Sequence, residues 1–389
     1  MKVVVTGIGL VSALGATLET SWRSLLLGQI GIRVHQPFSE LSHRPLALVG
    51  LQPGNLEQLT QQAVKAALED ANLAPPLLDC GVVIGSSRSY QAIWEQLARH
   101  RLNSAGSPDN GDEHEAFLSK AAMLYQRPPA ILIAQQISAA GPVLSPMAAC
   151  ATGIWAIAQG FELIQTGQCQ RVLVGAVEAP VTPLTLAGFT KMGALAQTGA
   201  YPFDCQREGF VLGEGATVIV LESAKLAGRR SAKVYGQILG FGLTADGYHV
   251  SAPDPERQIA AIAAIQQCLS RSGLLATSID YIHAHGTGTQ LNDRAEAMLL
   301  QNLFPDGVPV SSTKGATGHT LGASGALGAA FCLMALQQQI LPPCVGLQQP
   351  AFDLDLIVTP RFDRVATALC FSFGFGGQNA ILALGSCSY

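Results

Sequence analysis

The sequence predicts an α/β fold built from two related halves, and three observations support this. Strand-like and helix-like segments alternate along the 389 residues, as they do in proteins made of α/β layers. The sequence Ala-Thr-Gly occurs in each half, at residues 151–153 and 316–318, where it introduces a helix-like segment. A set of landmarks also recurs at one fixed offset, which indicates an internal duplication. The landmarks are Leu68, Leu73, Leu78, Asp79 and Gly85 in the first half, and Leu269, Leu274, Ile279, Asp280 and Gly286 in the second.

Each landmark stretch contains an amphipathic helix, a short linker and a strand that ends in glycine. The hydrophobic spacing predicts helices over 59–72 and 259–272. The apolar runs that follow predict strands over 80–85 and 281–286. The two halves therefore repeat the same order of elements.

The chain starts with a strand-like segment at residues 2–6, and Gly-Ile-Gly-Leu follows at residues 7–10. We expect these glycines to permit a tight turn from strand to loop. A dinucleotide-binding fingerprint would need a third glycine and a suitable acidic residue, so that class of site is not predicted. A similar sequence, Gly-Phe-Gly-Leu, recurs at residues 240–243. The repeat predicts one half over 1–230 and a second over 231–389.

The composition excludes several classes of function. The 23 basic and 27 acidic residues are scattered and nearly balanced, so we expect no binding of nucleic acid. Hydrophobic residues make up 48% of the chain and charged residues 13%, which provides a large core and a weakly charged surface. Such a surface favours burial of one face in an oligomer, and we expect a homodimer.

The nine cysteines contain no Cys-x-x-Cys pair, so neither a disulfide framework nor a zinc cluster is predicted, and a reducing compartment is favoured. No charged region followed by a cleavable apolar segment begins the sequence. The most apolar helix, at about residues 322–336, is too short to span a bilayer. We therefore expect a cytoplasmic protein with no membrane partner.

Three glycine-rich segments carry one thiol and two imidazoles. Ala-Thr-Gly follows Cys150, Gly-Thr-Gly-Thr follows His285, and Lys-Gly-Ala-Thr-Gly precedes His319. Cysteine accepts an acyl group by thioester exchange, and neutral imidazoles can donate hydrogen bonds to an oxygen that becomes negative during reaction. We expect a helix to start just after Cys150, where its dipole favours the thiolate. These groups predict an acyl-transfer site that requires no metal and no cofactor.

His283 and His285 alternate on a strand and so face the same side, as a pair of metal ligands would. No nearby cysteine or carboxylate completes a ligand set, and the glycines that follow suit a tight turn beside a ligand. We therefore predict no metal site here, and we expect His283 to be a packed residue behind the site.

Six motifs occur in the order found in one known enzyme family. They are residues 5–9, the Cys150 segment, residues 202–215, the two histidine segments and residues 373–377. Over nearly its whole length the chain resembles the elongating β-ketoacyl-acyl carrier protein synthases, the condensing enzymes of fatty acid synthesis. The resemblance implies a thiolase-like fold, with two fused pseudo-symmetric halves in α-β-α-β-α layers.

The resemblance also implies a role for each residue that matches the family's motifs. Cys150 is the acylated nucleophile, and His285 and His319 are the two catalytic histidines. Lys314 organises the site electrostatically. The backbone N–H groups of Cys150 and Phe375 form the oxyanion hole, and the Phe375 ring gates the acyl pocket.

Four further residues match the family's pattern. Phe203 corresponds to a second aromatic residue beside the acyl pocket, and Arg207 to a basic residue that helps to receive the carrier protein. Asp293 and Glu296, which follow the His285 turn, match supporting residues. The implied partner is acyl carrier protein in its acyl and malonyl forms, and the implied reaction is a decarboxylative Claisen condensation that gives β-ketoacyl-carrier protein.

The sequence departs from the family at two notable positions. Gly328 stands where elongating synthases commonly carry a glutamate, and Phe371 stands where they carry an asparagine. Two alternatives stay open: a ketosynthase of a type II polyketide pathway, and a non-catalytic partner subunit that sets chain length. Cys150 argues against the partner subunit, whereas Gly328 and Phe371 favour it. A thiolase acting on coenzyme A is disfavoured, because His319 stands where such enzymes supply another cysteine.

Overall fold

The computed structural model describes residues 1–104, 116, 119, 128–254 and 257–387. Ten strands form one sheet, which consists of two half-sheets of five strands. In spatial order the first half-sheet contains β5 (Val143–Leu144), β4 (Cys80–Gly85), β6 (Arg171–Glu178), β7 (Gly215–Ser223) and β1 (Val3–Ser12). The second contains β10 (Val310–Ser311), β9 (Tyr281–His283), β13 (Thr367–Gly374), β14 (Gln378–Gly385) and β8 (Gly236–Ala245).

The two half-sheets have the same pattern of strand directions. In each, the first three strands of the spatial order are parallel and the last two continue antiparallel. The half-sheets meet where Val3–Val5 of β1 pairs with Gly236–Ile238 of β8. This arrangement confirms the predicted α/β fold with two related halves. The first half-sheet ends in sequence at Ser223 and the second begins at Gly236, and the division at residue 230 stays a prediction.

Two small antiparallel pairs lie outside the main sheet. They are β2 (Arg33–His35) with β3 (Arg44–Leu46), and β11 (Ile340–Leu341) with β12 (Arg361–Phe362).

Two central helices, α5 (Thr152–Gln165) and α11 (Ser324–Gln338), pack on each other and on the half-sheets. Small residues permit this approach, because a Cβ on Gly153 would lie 2.5 Å from the Ala326 nitrogen. Helices on the opposite faces complete the layers. The other helices in the described part of the chain are α1 (Leu18–Leu26), α2 (Leu56–Asp70), α3 (Gln91–Ser104), α4 (Pro129–Gln136), α6 (Pro183–Lys191), α7 (Ala224–Arg229), α8 (Ile259–Ser272), α9 (Gln290–Leu303) and α10 (Lys314–Thr317).

The helices begin and end where the local chemistry favours it. Asn55 caps α2 by accepting a hydrogen bond from the Gln58 N–H at 3.1 Å, so this helix starts three residues before the predicted position. Gly273 ends α8 with a φ of 65°, which agrees with the predicted end. The predicted bounds of β4 also agree. In contrast, β9 ends at His283. The Ala284 N–H still donates to the Ser311 carbonyl of β10, but the N–H groups of His285 and Gly286 donate to the Glu296 carboxylate of α9 instead of continuing the strand.

The glycines near the start of the chain do not form a turn, so that expectation is wrong. Gly7 and Gly9 lie inside β1, and a Cβ on Gly9 would overlap the Ala63 carbonyl oxygen of α2. In the second half, a Cβ on Gly242 in β8 would overlap the Ala264 carbonyl oxygen of α8. These glycines let an outer helix pack directly on the strand backbone.

One helical segment is longer than the sequence suggested. A 3₁₀ turn at Leu321–Ala323 extends α11, and the combined residues 321–338 reach a length and composition that could cross a membrane. Within the protein, however, 89% of this segment is buried. Its apolar character is therefore accounted for by packing in the central layer.

Candidate active site

Cys150 lies in a turn between β5 and α5, just before that helix begins. The preceding residue, Ala149, has a φ of 47°, a left-handed conformation that is strained for a residue with a Cβ. The Thr152 hydroxyl accepts a hydrogen bond from the Ala148 N–H at 2.9 Å and donates to the Ala149 carbonyl at 2.7 Å. From the second half, the Ser372 hydroxyl donates to the Cys150 carbonyl at 2.8 Å. The backbone of Cys150 is therefore held from both halves.

The thiol of Cys150 is protonated at neutral pH. Burial raises its pKa to about 11, although the positive charge of Lys314 and a hydrogen bond from the Phe375 N–H oppose this rise. The expected preference for the thiolate is thus wrong for the resting protein, because burial disfavours the charged form. The Phe375 N–H therefore lies close enough to the sulfur to influence its pKa.

His285 lies two residues beyond β9 and is buried. Lys314 Nζ lies 3.5 Å from His285 Nδ1 and donates a hydrogen bond to the His285 carbonyl oxygen. With a donor at Nδ1, the ring proton is carried by Nε2, which is then the N–H that the ring offers. Burial and the charge of Lys314 lower the pKa of His285 well below its usual range, so the ring is neutral.

His319 lies in the loop between α10 and α11, with its ring edge-to-face to that of His285 at a centroid distance of 5.4 Å. Its Nδ1 is 2.9 Å from the Ser324 hydroxyl, and its backbone N–H donates to the Val211 carbonyl at 2.7 Å. Burial and the charge of Lys314 lower the pKa of His319 well below its usual range. Two neutral imidazoles therefore lie side by side.

Asp293 and Glu296, both on the first turns of α9, hold the loop that carries His285. Glu296 accepts hydrogen bonds from the N–H groups of His285 at 2.6 Å and Gly286 at 2.7 Å. Asp293 accepts from the Thr287 N–H at 3.0 Å. Burial raises the pKa of each carboxyl group. The supporting role expected for these residues has a structural basis in these backbone contacts.

One cavity of about 310 Å³ reaches the three reactive groups at the seam between the halves. Cys150, His285, His319 and Phe375 line it. Its other lining residues include Phe189, Phe210, Phe373, Thr287 and Thr289. A volume of this size lies at the lower end of the range found for small-molecule sites. The geometry can accommodate a thioester between a sulfur nucleophile and two N–H donors.

Two of the residues expected at the site lie elsewhere. Phe203 is fully buried and packs edge-to-face on Phe352 at 6.4 Å, so it does not line the cavity. Arg207 is only 8% exposed, since its guanidinium donates to the Asp204 carbonyl at 2.9 Å and lies over the Phe352 ring. A surface contact with a carrier protein requires an accessible charge, so the assignment of Arg207 is wrong, as is the placement of Phe203 beside the pocket.

Two other residues near the site lack any motif in the sequence. Ser324 orients His319, as described above. Glu178, at the end of β6, is buried and accepts hydrogen bonds from the Ser87 N–H and the Ser86 hydroxyl. Burial raises the pKa of Glu178 to about 7. Only the tertiary structure brings these side chains to the loops that flank Cys150 and His319.

His283 does not share a ligand position with His285. Its Nε2 lies 3.0 Å from the Thr313 hydroxyl, and neither residue lines the cavity. Across residues 1–104, 128–254 and 257–387, no group of three potential metal-binding side chains occurs.

Models of one protein family match most of the chain. Residues 52–227 match the N-terminal domain of β-ketoacyl synthases, and residues 235–348 match the C-terminal domain. Among curated proteins, the chain is 33% identical to 3-oxoacyl-[acyl-carrier-protein] synthase 2 of Synechocystis, covering 98% of this chain and 97% of that protein. It is 32% identical to a putative mitochondrial 3-oxoacyl-[acyl-carrier-protein] synthase of Schizosaccharomyces pombe, covering 98% of each.

The fold also resembles solved ketosynthase structures. A type II polyketide ketosynthase, solved with its acyl carrier protein and a bound hexaketide, superimposes with a TM-score of 0.89. The two chains are 26% identical, and the match covers 100% of this chain and 99% of the other.

Proposed function

The chain belongs to the β-ketoacyl synthase family, and on that premise we propose that it catalyses the decarboxylative condensation of an acyl thioester with malonyl-acyl carrier protein. The product is a β-ketoacyl-acyl carrier protein two carbons longer, as required for fatty acid elongation. The observation that carries the proposal is that Cys150, His285 and His319 line one cavity. No cofactor is needed for this chemistry, since the acyl donor is already a thioester.

In the first half-reaction, the Cys150 sulfur attacks the thioester carbonyl carbon of the acyl donor. The developing oxyanion accepts hydrogen bonds from the N–H groups of Cys150 and Phe375, a cradle supported by the contact between the Phe375 N–H and the sulfur. The carbon–sulfur bond to the carrier then breaks. The released pantetheine thiol takes up the proton that the Cys150 thiol lost, and the acyl group stays on the enzyme.

In the second half-reaction, malonyl-carrier protein enters the same cavity and loses carbon dioxide. The electron pair of the broken carbon–carbon bond forms an enolate, whose oxygen accepts hydrogen bonds from the neutral rings of His285 and His319. The enolate carbon attacks the Cys150 thioester, a carbon–carbon bond forms, and the sulfur leaves as a thiolate that takes up a proton from solvent water. Lys314 maintains His285 in the orientation that presents Nε2–H.

The proposed partners are acyl carrier protein and a second copy of this chain. The polyketide relative was solved with its acyl carrier protein, which supports the first partner. For the second, β5 ends the first half-sheet, and none of the residues that the structure describes pairs with its outer side; it exposes Val143 at 38% and Leu144 at 37%. Met147, which follows, is 69% exposed. An apolar strand edge of this kind is suited to pairing across a dimer.

We assign the protein to the cytoplasm, because its cysteines suit a reducing compartment and their thiols are free in the described part of the chain. The mitochondrial relative from Schizosaccharomyces pombe makes an organelle the alternative location.

A type II polyketide ketosynthase is the second candidate, favoured by the likeness to the hexaketide-bound structure. Both candidates use the same reactive groups and differ in the acyl chains that they extend. A non-catalytic partner subunit is disfavoured by the nucleophile arrangement around Cys150.

The test is a product assay with malonyl-carrier protein and a panel of acyl-carrier proteins, in which product masses are measured. Saturated acyl donors should give β-ketoacyl products longer by two carbons. Turnover confined to polyketide intermediates would favour the second candidate. No product from any donor would contradict the proposal.

A further inference from the structure

His283 is a buried histidine with no part in the proposed chemistry. It ends β9, where Cys370 of β13 is its neighbour in the sheet. Its Nδ1 lies 3.9 Å from the Cys370 sulfur, and its Nε2 lies 3.0 Å from the Thr313 hydroxyl. A buried imidazole with defined contacts at both nitrogens has a fixed orientation.

The ring of His283 fits because residue 328 has no side chain. Gly328 lies in the second turn of α11 and faces the ring directly. A Cβ at this position would lie 2.8 Å from two ring atoms of His283 and 2.8 Å from the Cys370 sulfur. Distances of this kind would force the ring to move. Gly328, which departs from the family's pattern, thus provides the space that His283 occupies.

The contact with Thr313 links His283 to the catalytic lysine. Thr313 is the residue before Lys314 and forms the N-terminal boundary of the single-turn helix α10. Lys314 Nζ reaches the carbonyl oxygen and Nδ1 of His285. His283 and His285 are two residues apart on one segment. The contact between His283 and Thr313 and the contacts between Lys314 and His285 therefore connect this segment to α10 and its boundary at two points.

We propose that His283 is a positioning residue, which acts through Thr313 to hold Lys314 against His285 and which Gly328 accommodates. This inference rests on the proposed function, because the step that it serves is formation of the enolate. A small displacement of Lys314 would release the ring of His285 from the orientation that presents Nε2–H. Acylation of Cys150 uses the backbone cradle instead, and the Lys314 charge that acts on the thiol is retained when this contact is lost, so acylation should change much less.

The test compares His283→Leu, His283→Gln and Thr313→Val in the full-length protein. Leu retains bulk but cannot form the hydrogen bond, whereas the terminal amide of Gln can reach the position of Nε2. We expect His283→Leu and Thr313→Val each to lower the condensation rate by about 10-fold or more, with acylation of Cys150 changed by less than about 2-fold. His283→Gln should restore most of the rate. The double variant His283→Leu/Thr313→Val should lose no more than either single variant.

The matched control is Thr60→Val, which removes a buried threonine hydroxyl from α2, away from the site. If His283→Leu does not fold, the rates of Thr313→Val alone test the positioning role of His283. Condensation at the wild-type rate in Thr313→Val, an equal loss of acylation and condensation, or a Gln variant as slow as the Leu variant would overturn the inference. No product from the wild-type protein would overturn the proposed function itself, which distinguishes the two failures.

Discussion

The two halves of the molecule share a scaffold but carry different chemical groups. Each half-sheet has the same strand order and directions, and in each a glycine of the strand at the junction lets an outer helix pack on bare backbone, Gly9 under α2 and Gly242 under α8. Ala-Thr-Gly forms the start of α5 in the first half and lies a few residues before α11 in the second. The first half contributes the thiol of Cys150, whereas the second contributes His285 and His319.

This difference shows how a duplicated scaffold can divide one reaction between its halves. The pseudo-symmetry brings the N-terminal ends of α5 and α11 to the same seam, so residues far apart in sequence meet in one cavity. The first half needs a turn that exposes a sulfur and two backbone donors. The second half requires neutral rings. Burial and the charge of Lys314 lower the pKa of His285 and that of His319.

The largest expected effect comes from removing the sulfur of the first half. Cys150→Ala should lower the condensation rate by about 10³-fold or more, since Cys150 is the cysteine that lines the cavity among the described residues. Cys205→Ala is the matched control, because Cys205 is exposed and does not line the cavity. Product assays on both variants check this, and an active Cys150→Ala protein would contradict it.

Matched glycine-to-alanine substitutions test the packing of the outer helix in each half. Gly9→Ala and Gly242→Ala should each lower the free energy of unfolding by at least about 2 kcal/mol, because each new Cβ would overlap a helix carbonyl oxygen. Gly228→Ala is the control: Gly228 lies in a helix, and a Cβ there would have no other atom within 4 Å. The free energy of unfolding should therefore change by no more than about 1 kcal/mol. Denaturant unfolding measures all three. If only one of the alanine variants at Gly9 and Gly242 keeps the wild-type free energy of unfolding, the packing of α2 on β1 and that of α8 on β8 are not equivalent.

The pH dependence should differ between the half-reactions. The lowered pKa values of His285 and His319 keep both rings neutral below pH 6.5, so release of carbon dioxide from malonyl-carrier protein should not fall as pH drops through about 6.5. The raised pKa of the Cys150 thiol, about 11, should make acylation faster as pH rises above neutrality. Separate rate profiles for the two half-reactions test this. A decline of carbon dioxide release centred near pH 6.5 would indicate rings that titrate normally.

The repeat and the motifs predicted much of this architecture. The offset between Leu68 and Leu269 indicated the duplication, and the bounds of β4 and α8 agreed with the hydrophobic pattern. The misplaced turn at Gly7 and Gly9 has a physical reason: a glycine in a strand and a glycine in a turn look the same until the helix that packs on it is known.

At the site, the motifs pointed to Cys150, His285 and His319, which the structure brings to one cavity, but they did not predict the environment of these groups. The protonated state of Cys150 depends on burial that no local motif encodes. Arg207 and Phe203 match a motif in sequence, yet packing on Phe352 withdraws both from the cavity. Glu178 reaches the site only through tertiary contacts.

The most direct test of the division between the halves measures both half-reactions on two variants. Acylation is followed by intact-protein mass with acyl-carrier protein alone, and decarboxylation by carbon dioxide release from malonyl-carrier protein alone. Cys150→Ala should form no adduct while retaining decarboxylation within about 10-fold of wild type, and His319→Ala should lose decarboxylation by about 100-fold while retaining acylation within about 10-fold. Equal loss of both half-reactions in both variants, or an acyl adduct on Cys150→Ala, would contradict the account.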